Sequence, residues 1–327
     1  MVMNAKLYRA LLSLLLVAFG QAAAGAYPER NIEFIVGYPP GGGYSDWALA
    51  IAPFIKKHLP NKVNVVVRHM PGASSVIATN YLHKAKPDGY TIGIYEMAGL
   101  AVTQLARPVQ YDLRQVTWLA GIAVDNRIAL VSAKGPYKSM LDFKKQEKPE
   151  YLMATRGLSE INAILGAVTL AKLGVKWKPL NHQGASQALL SVIRGDADVN
   201  WSAYESAQQY IDNGDLRVLL YYDHKRHPKF PDVQIPSEVG MPELNGMSSP
   251  RLLGAPPHLP ADIRATLEQA IKQAVEDPEF HDVVKKMKKT PSYMSGAEAE
   301  KMVQDTFAAY QPYLDIVKRL MGEDKKK

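Results

Sequence analysis

Apolar positions along this chain switch between two spacings. Ile32–Val36 is a short β-branched run of strand length, and Trp47, Ala50, Ile51, Phe54 and Ile55 then fall on one face at helical spacing. Between them lie Gly37, Tyr38, Pro39, Pro40, Gly41, Gly42 and Gly43, so the unit reads strand, glycine loop, helix. The unit recurs. Residues 63–67 predict a second strand, residues 70–75 a loop of small residues, and Val76, Ile77, Asn80, Tyr81 and Leu82 the start of a helix. Residues 86–89 form a turn by composition. Residues 90–95 predict a third strand that ends at Glu96, Met97, Ala98 and Gly99.

Farther along, apolar runs 118–124 and 128–132 are split by Asp125, Asn126 and Arg127, where the chain is expected to cross between lobes. The strand, small polar loop, helix logic then returns. A short helix is expected at 139–145 and a strand at 151–154, with its loop at 155–159. The next helix carries Ile161, Leu165, Val168 and Leu173 and stops at Gly174. A strand at 177–180 leads through His182, Gln183, Gly184, Ala185 and Ser186 to a helix starting within 188–193. Residues 216–221 read as another strand, 224–246 as Pro-rich and irregular, and 251–255 as a strand returning to the first lobe. Helices are expected at 260–274, 278–287 and 296–320.

Loops of this kind on neighbouring parallel strands face each other at the carboxyl ends of the strands, where open α/β sheets bind ligands. Ser45 and Asp46 stand where an N-cap is expected. The unpaired N–H groups of such a helix start make an anion cradle. The glycines do not form GxGxxG, and no Gly-Lys-Ser/Thr follows, so neither the dinucleotide nor the P-loop pattern is met.

Several motifs then appear in order over nearly the whole chain. They are Tyr27-Pro28, Gly37-Tyr38-Pro39-Pro40-Gly41-Gly42-Gly43 with Asp46, Met70-Pro71-Gly72-Ala73, and Pro87-Asp88-Gly89-Tyr90-Thr91. Gly195-Asp196-Ala197-Asp198, Gly214-Asp215-Leu216-Arg217, Pro231-Asp232-Val233 and Glu238-Val239-Gly240 continue the series. On these residues the chain resembles the substrate-binding proteins of the tripartite tricarboxylate transporter system, the Bug or TctC-like family. It departs from the family pattern in having Arg68 to Ser75 where Asn-Arg-Pro-Gly-Ala-Gly-Gly is usual. A second departure is Thr155-Arg156-Gly157-Leu158-Ser159 in a loop usually rich in Gly and Ser.

The pattern and the resemblance together imply an α/β, two-lobed periplasmic-binding-protein fold, type II-like, with two hinge crossings. Each lobe is expected to be a mainly parallel sheet flanked by helices. Lobe one is expected over 27–125 plus 251–327 and lobe two over 126–250. The resemblance implies capture of an organic carboxylate between lobes and its delivery to integral membrane permease subunits. An extracytoplasmic sensor presenting the same ligand to a receptor kinase is the alternative. One carboxylate is expected against the two first-lobe loops, partly through ordered water: Tyr38, Pro39, Gly41, Gly42, Gly43, Tyr44 and Asp46 in one; Pro71, Gly72, Ala73 and Ser74 in the other. Ala98 is expected to line the same site. Thr155, Arg156, Ser159, Gln183, Ala185, Ser186, Ser202 and Tyr204 are the second-lobe candidates. Arg156 offers a bidentate partner for a distal carboxylate, against pointing to solvent or pairing with Glu160. Tyr38, Tyr44 and Trp47 are candidates for stacking on the ligand or for plain loop packing.

Composition narrows the class further. Lys6 and Arg9, an apolar core at 10–19 and a small-residue end closing Ala24-Gly25-Ala26 read as a secretory signal over residues 1–26, with Ala22-Ala23-Ala24 an equally legal cleavage pattern two residues earlier. The core is too short for a membrane span, which needs roughly 18 residues or more. The expected destination is the periplasm, as a soluble monomer. There are 0 cysteines, so disulfides, a thiol nucleophile and a cysteine lipid anchor are excluded. The formal charge of +7 falls to +5 without Lys6 and Arg9. The local excess at Lys285, Lys286, Lys288, Lys289 and Lys325 to Lys327 reads as a solvated helix face and tail. No basic run is interleaved with aromatics, which argues against nucleic acid. The 8 histidines show no HExxH spacing, and no GxSxG elbow is present. Asp196 and Asp198 look like a paired-carboxylate motif, but the resemblance implies a turn entering a strand rather than an acid/base pair. No cofactor, metal or catalytic residue is expected.

Overall fold

A computed structural model describes residues 27–41, 43–145, 148–155, 161–287 and 289–320. The signal segment at 1–26, Gly42, Arg156, Ser159 and the final lysines therefore lie outside the described residues. Five strands, β1 Ile32–Val36, β2 Val65–His69, β3 Thr91–Glu96, β4 Thr117–Asp125 and β10 Ser249–Ala255, form one sheet with the short β11 Met294–Ser295. Its order is β11-β4-β10-β3-β1-β2. Strands β5 Arg127–Ser132, β6 Tyr151–Thr155, β7 Trp177–Asn181, β8 Val199–Ala203 and β9 Leu216–Tyr221 form the other, in the order β7-β6-β8-β5-β9.

The parallel strands expected from the strand–loop–helix units are β1, β2 and β3 in one sheet and β6, β7 and β8 in the other. The crossing strands pair antiparallel: β10 lies between β3 and β4, and β5 between β8 and β9. Each sheet is therefore mixed, because strands that carry the chain out of one lobe and back must run opposite ways.

Period-two burial explains how each sheet is covered on both faces. Ile32, Phe34 and Val36 enter one cluster with helix α1, Gly43–His58, and with α8 (Ala261–Glu276) and α9 (Pro278–Lys286). Ile35 faces the opposite cluster, against α2 (Val76–Lys84), α3 (Met97–Ala106) and α10 (Gly296–Tyr310). In the second sheet Ala129 and Val131 pack with α5, Ile161–Leu173, while Ile128 and Leu130 pack with α6, Ala185–Arg194. The remaining helices are α4 (Asp142–Lys145), α7 (Tyr204–Asp212) and α11 (Leu314–Leu320).

Two helices belong to both lobes. Leu100 and Ala101 of α3 lie in a first-lobe cluster, whereas Val102 and Ala106 lie in the second-lobe core. Ala299 and Val303 of α10 lie in the first, Tyr310 in the second. The single helix expected at 296–320 is broken at Gln311-Pro312, because proline has no N–H to continue the ladder.

The strand directions position the site. Strands β1 to β4 all end at one edge of the first sheet, where β10 begins. Strands β6 and β8 end, and β5 begins, at the facing edge of the second. Asn126 alone separates β4 from β5, whereas residues 222–248 connect β9 to β10.

Candidate functional site: an interlobe cleft

A cleft of about 1080 Å³ lies between these two edges. From the first lobe it receives Tyr38, Gly43, Tyr44, Asp46 and Ser74, all expected from the sequence. From the second it receives Thr155, Ala185, Ser186 and Ser202, also expected. Pro39, Gly41, Pro71, Gly72, Ala73, Ala98 and Gln183 do not line it. Ala98 is buried in α3 and Gln183 is exposed beyond the wall. Tyr204 is turned elsewhere: its ring packs on His227 and Phe230, and its hydroxyl accepts from Lys229 Nζ at 3.1 Å.

The two first-lobe loops interlock. A Cβ on Gly37 would sit 1.9 Å from Ser75 Oγ, so only glycine lets the first loop pass this close to the second. The second loop is strained. Gly72 has φ 142°, and Ala73, Ser74 and Ser75 follow at 46°, 52° and 74°. Left-handed backbone costs a residue with a Cβ about 1–2 kcal/mol, so this turn is held against its own preference. It delivers the chain into α2, whose N-cap Ser75 makes no side-chain capping bond. The first N–H groups of a helix have no intrahelical partner, and they favour an anion.

Helix α1 starts two residues before the expected cap. Ser45 lies inside its first turn, fully buried, with Oγ 2.8 Å from His69 Nε2. The pair joins α1 to β2, and its burial leaves the hydroxyl no route to a substrate. Trp47 is likewise core, packed against Phe280 at 6.2 Å, so it cannot stack on a ligand. Tyr38 and Tyr44 stack on each other at 4.8 Å, and the Arg251 guanidinium lies 3.8 Å from the Tyr44 ring centroid. The Tyr44 ring is thus engaged by protein.

Charges dominate the rest of the lining. Arg251 and Asp125 form a buried ion pair, and Lys289 Nζ lies 4.0 Å from Asp46 Oδ2. Burial opposes the charge of Arg251, but Tyr44, Asp125, Glu96 and Glu205 together hold its pKa above the ordinary value. Glu96 Oε2 accepts the Gly99 N–H at 2.9 Å and so caps α3. Glu205, in the first turn of α7, faces the solvent of the cleft. Surrounding protein and then Asp125 raise its carboxyl above the usual range, against Lys289 and Arg251. Arg127, the first residue of β5, completes the set.

None of Arg251, Asp125, Arg127, Glu205 and Lys289 stood among the sequence-derived candidates. A charge at or within an apolar strand run is a usable cue, and it marks Asp125, Arg127 and Arg251. Lys289 departs from its solvated neighbours: its side chain is 13% exposed and faces Asp46 and Trp47. Asp196 and Asp198 are structural. Asp198 accepts the Leu152 N–H at 2.8 Å and pairs with Lys148, while Asp196 pairs with Arg194. Among the described residues no group of three or more His, Cys, Asp or Glu could hold a metal. No helix there is long and apolar enough to cross a membrane.

Two helix-covered sheets, joined by a one-residue crossing and meeting at a polar cleft, define a two-lobed solute-binding protein. The chain belongs to the tripartite tricarboxylate transporter receptor family, TctC, whose sequence pattern matches residues 51–318. The UPF0065 protein of the gbd 5′ region of Cupriavidus necator is 25% identical over 294 residues, 88% of this chain and 87% of the relative. A TctC solute binding protein from Polaromonas, solved without ligand, superposes with a TM-score of 0.75 at 23% identity over 91% of this chain and 99% of that one. MatC of Rhodopseudomonas palustris with bound malate gives 0.68 at 19% identity, covering 89% and 100%. R. palustris Rpa4515 with adipate gives 0.70 at 20%, covering 89% and 98%. These structural likenesses establish the fold. Proteins of this family and fold are periplasmic solute-binding proteins rather than enzymes.

Proposed function

We propose that the protein is a periplasmic receptor that captures an organic carboxylate between its lobes and delivers it to the membrane subunits of a tripartite tricarboxylate-type transporter. The observation that carries the reading is the strained left-handed turn at 73–75, whose Ser74 lines the cleft and whose Ser75 opens α2 without a side-chain cap. A backbone strained at a cleft is a reason to look for a ligand there, and a helix start selects an anion. Two fold neighbours hold malate and adipate, both carboxylates. The lobes are taken as 27–125 plus 251–327 and 126–250, with the ligand between them. Arg156 and Ser159, in the segment between β6 and α5, remain candidates. The receptor-kinase alternative would use the same cleft and gains no support from the relatives.

A thermal-shift series against carboxylates tests the reading. Ligand at a hundredfold excess over its dissociation constant adds about 2.7 kcal/mol, a rise of about 4–5 °C for a chain of about 300 residues. No rise with any mono-, di- or tricarboxylate would remove the carboxylate reading.

A further inference from the structure

Among the described residues three cations line the cleft, and two are already committed. Arg251 is paired with Asp125, and Lys289 stands by Asp46. The third, Arg127, is 7% exposed, yet its guanidinium makes no hydrogen bond or ion pair with any described residue. Its Nε is sealed from solvent without a partner. Glu205, the acid of the cleft that is likewise unpaired among the described residues, makes no ion pair with it. A buried charge without a partner costs several kcal/mol. Buried charges are ordinarily paired, and an anionic group entering the cleft would supply the missing partner.

The place is also suitable. Arg127 opens β5, opposite Ala203 of β8, next to Ser202 at the second-lobe edge of the cleft. The strained turn at 73–75 belongs to the opposite edge, in the first lobe. A guanidinium offers a carboxylate two parallel N–H donors.

We propose that Arg127 receives a second anionic group of the ligand, so that the solute taken by this cleft is a dianion, a dicarboxylate in the simplest case. This rests on the carboxylate reading above, in which the first anionic group lies at the start of α2. Arg127 then does on the hinge side of the second lobe what sequence alone assigned to Arg156.

Isothermal titration of the wild-type protein and Arg127→Met decides it. The probes are straight-chain dicarboxylates from malonate to pimelate and the matching monocarboxylates. The wild type should bind its best dicarboxylate at least about tenfold tighter than the matching monocarboxylate, the scale of one charge-assisted pair. Arg127→Met should erase that preference and leave the monocarboxylate affinity unchanged. Its ligand-free Tm should not fall, because the side chain removed was an uncompensated charge. Arg127→Lys should recover part of the preference, keeping the charge without the fork. Equal weakening of both acid classes, a fall in ligand-free Tm, or a wild type that favours monocarboxylates would each overturn the role of Arg127 while the carboxylate reading stands. A wild type that binds neither class would overturn both.

Discussion

Arg251 and Asp125 sit diagonally across two antiparallel strands. Arg251 faces Ala123 in the β4–β10 register, and Asp125 lies two residues on, so both side chains project to one face and close a buried pair at the cleft floor. Such a pair adds little net stability over an apolar substitute, but half of it is costly. Asp125→Ala should therefore lower the unfolding free energy by about 3–5 kcal/mol, read by urea denaturation. The double variant Asp125→Ala, Arg251→Met should recover most of the loss. A single variant within about 0.5 kcal/mol of wild type, the range of ordinary surface substitutions, would show that the pair is not closed in solution.

The interlocked loops predict a steric phenotype with a built-in rescue. Gly37→Ala drives a methyl into Ser75 Oγ and should destabilise by about 1–3 kcal/mol, as overpacking does. Adding Ser75→Gly frees the space and relieves φ 74° in the same step. The double variant should be more stable than Gly37→Ala alone. Thermal unfolding of the three proteins reads the result, and an additive loss would contradict the contact.

Strain at the turn predicts the opposite sign. Ala73 is exposed at φ 46°. Ala73→Gly should raise ligand-free stability by about 0.5–1 kcal/mol, the left-handed penalty less the entropy of a freer unfolded chain. Carboxylate affinity should fall in parallel, since the turn is no longer held in place. A lower Tm would mean that the methyl makes contacts outweighing its strain.

Asp277 links the protein to acid. Lys57 bonds its carboxylate, and despite burial His58 and the Glu279 N–H add to the effect, drawing the pKa to about 2. A depressed carboxyl pKa stabilises the fold above the unfolded value near 4, and that stabilisation is lost as pH falls toward about 2. Asp277→Asn should flatten stability against pH in that window. The amide oxygen can still accept the Glu279 N–H and cap α9, so the change isolates the charge. Circular dichroism melts from pH 5 to pH 2 would show the slope unchanged if the triad does not form.

Glu205 has the reverse sign. Its pKa is raised by surrounding protein and by Asp125, so its stabilising share is present below the unfolded pKa and lost as pH rises through the folded one. Glu205→Gln should raise Tm at neutral pH, have no effect at acid pH, and tighten binding of anionic ligands. Weaker binding of every carboxylate would instead place Glu205 in direct contact with the ligand.

Regular elements with strong periodicity were legible: β1, β5, β6, β7, β9 and β10, and helices such as α5 ending at Gly174, lie within a residue or two of expectation. Helices α3 and α7 were not, because each follows a strand without glycine or proline to mark the turn. Met97–Ala106 in particular is apolar all round, burying one face in each lobe. The first-lobe wall of the cleft was legible from its glycines and tyrosines. Its charges were not, because Asp125 and Arg251 are far apart in sequence and meet only through strand register, and because Trp47 reads as a site aromatic until α1 turns it into the core.

Asn126, the one residue between β4 and β5, makes the two connections between lobes unequal. One is a pin, and the other, residues 222–248, is a strap. In any rotation of the lobes about that pin, atoms near the axis barely travel while the far rims sweep. Asp125 and Arg127 flank the pin; Ser74, in the turn before α2, and Ser186, in the first turn of α6, lie beyond it. Such a rotation would leave the charges of Asp125 and Arg127 nearly in place while Ser74 and Ser186 swept. A solute held beside Asn126 would then meet those two charges alike at every angle between the lobes, and only its outer contacts would change.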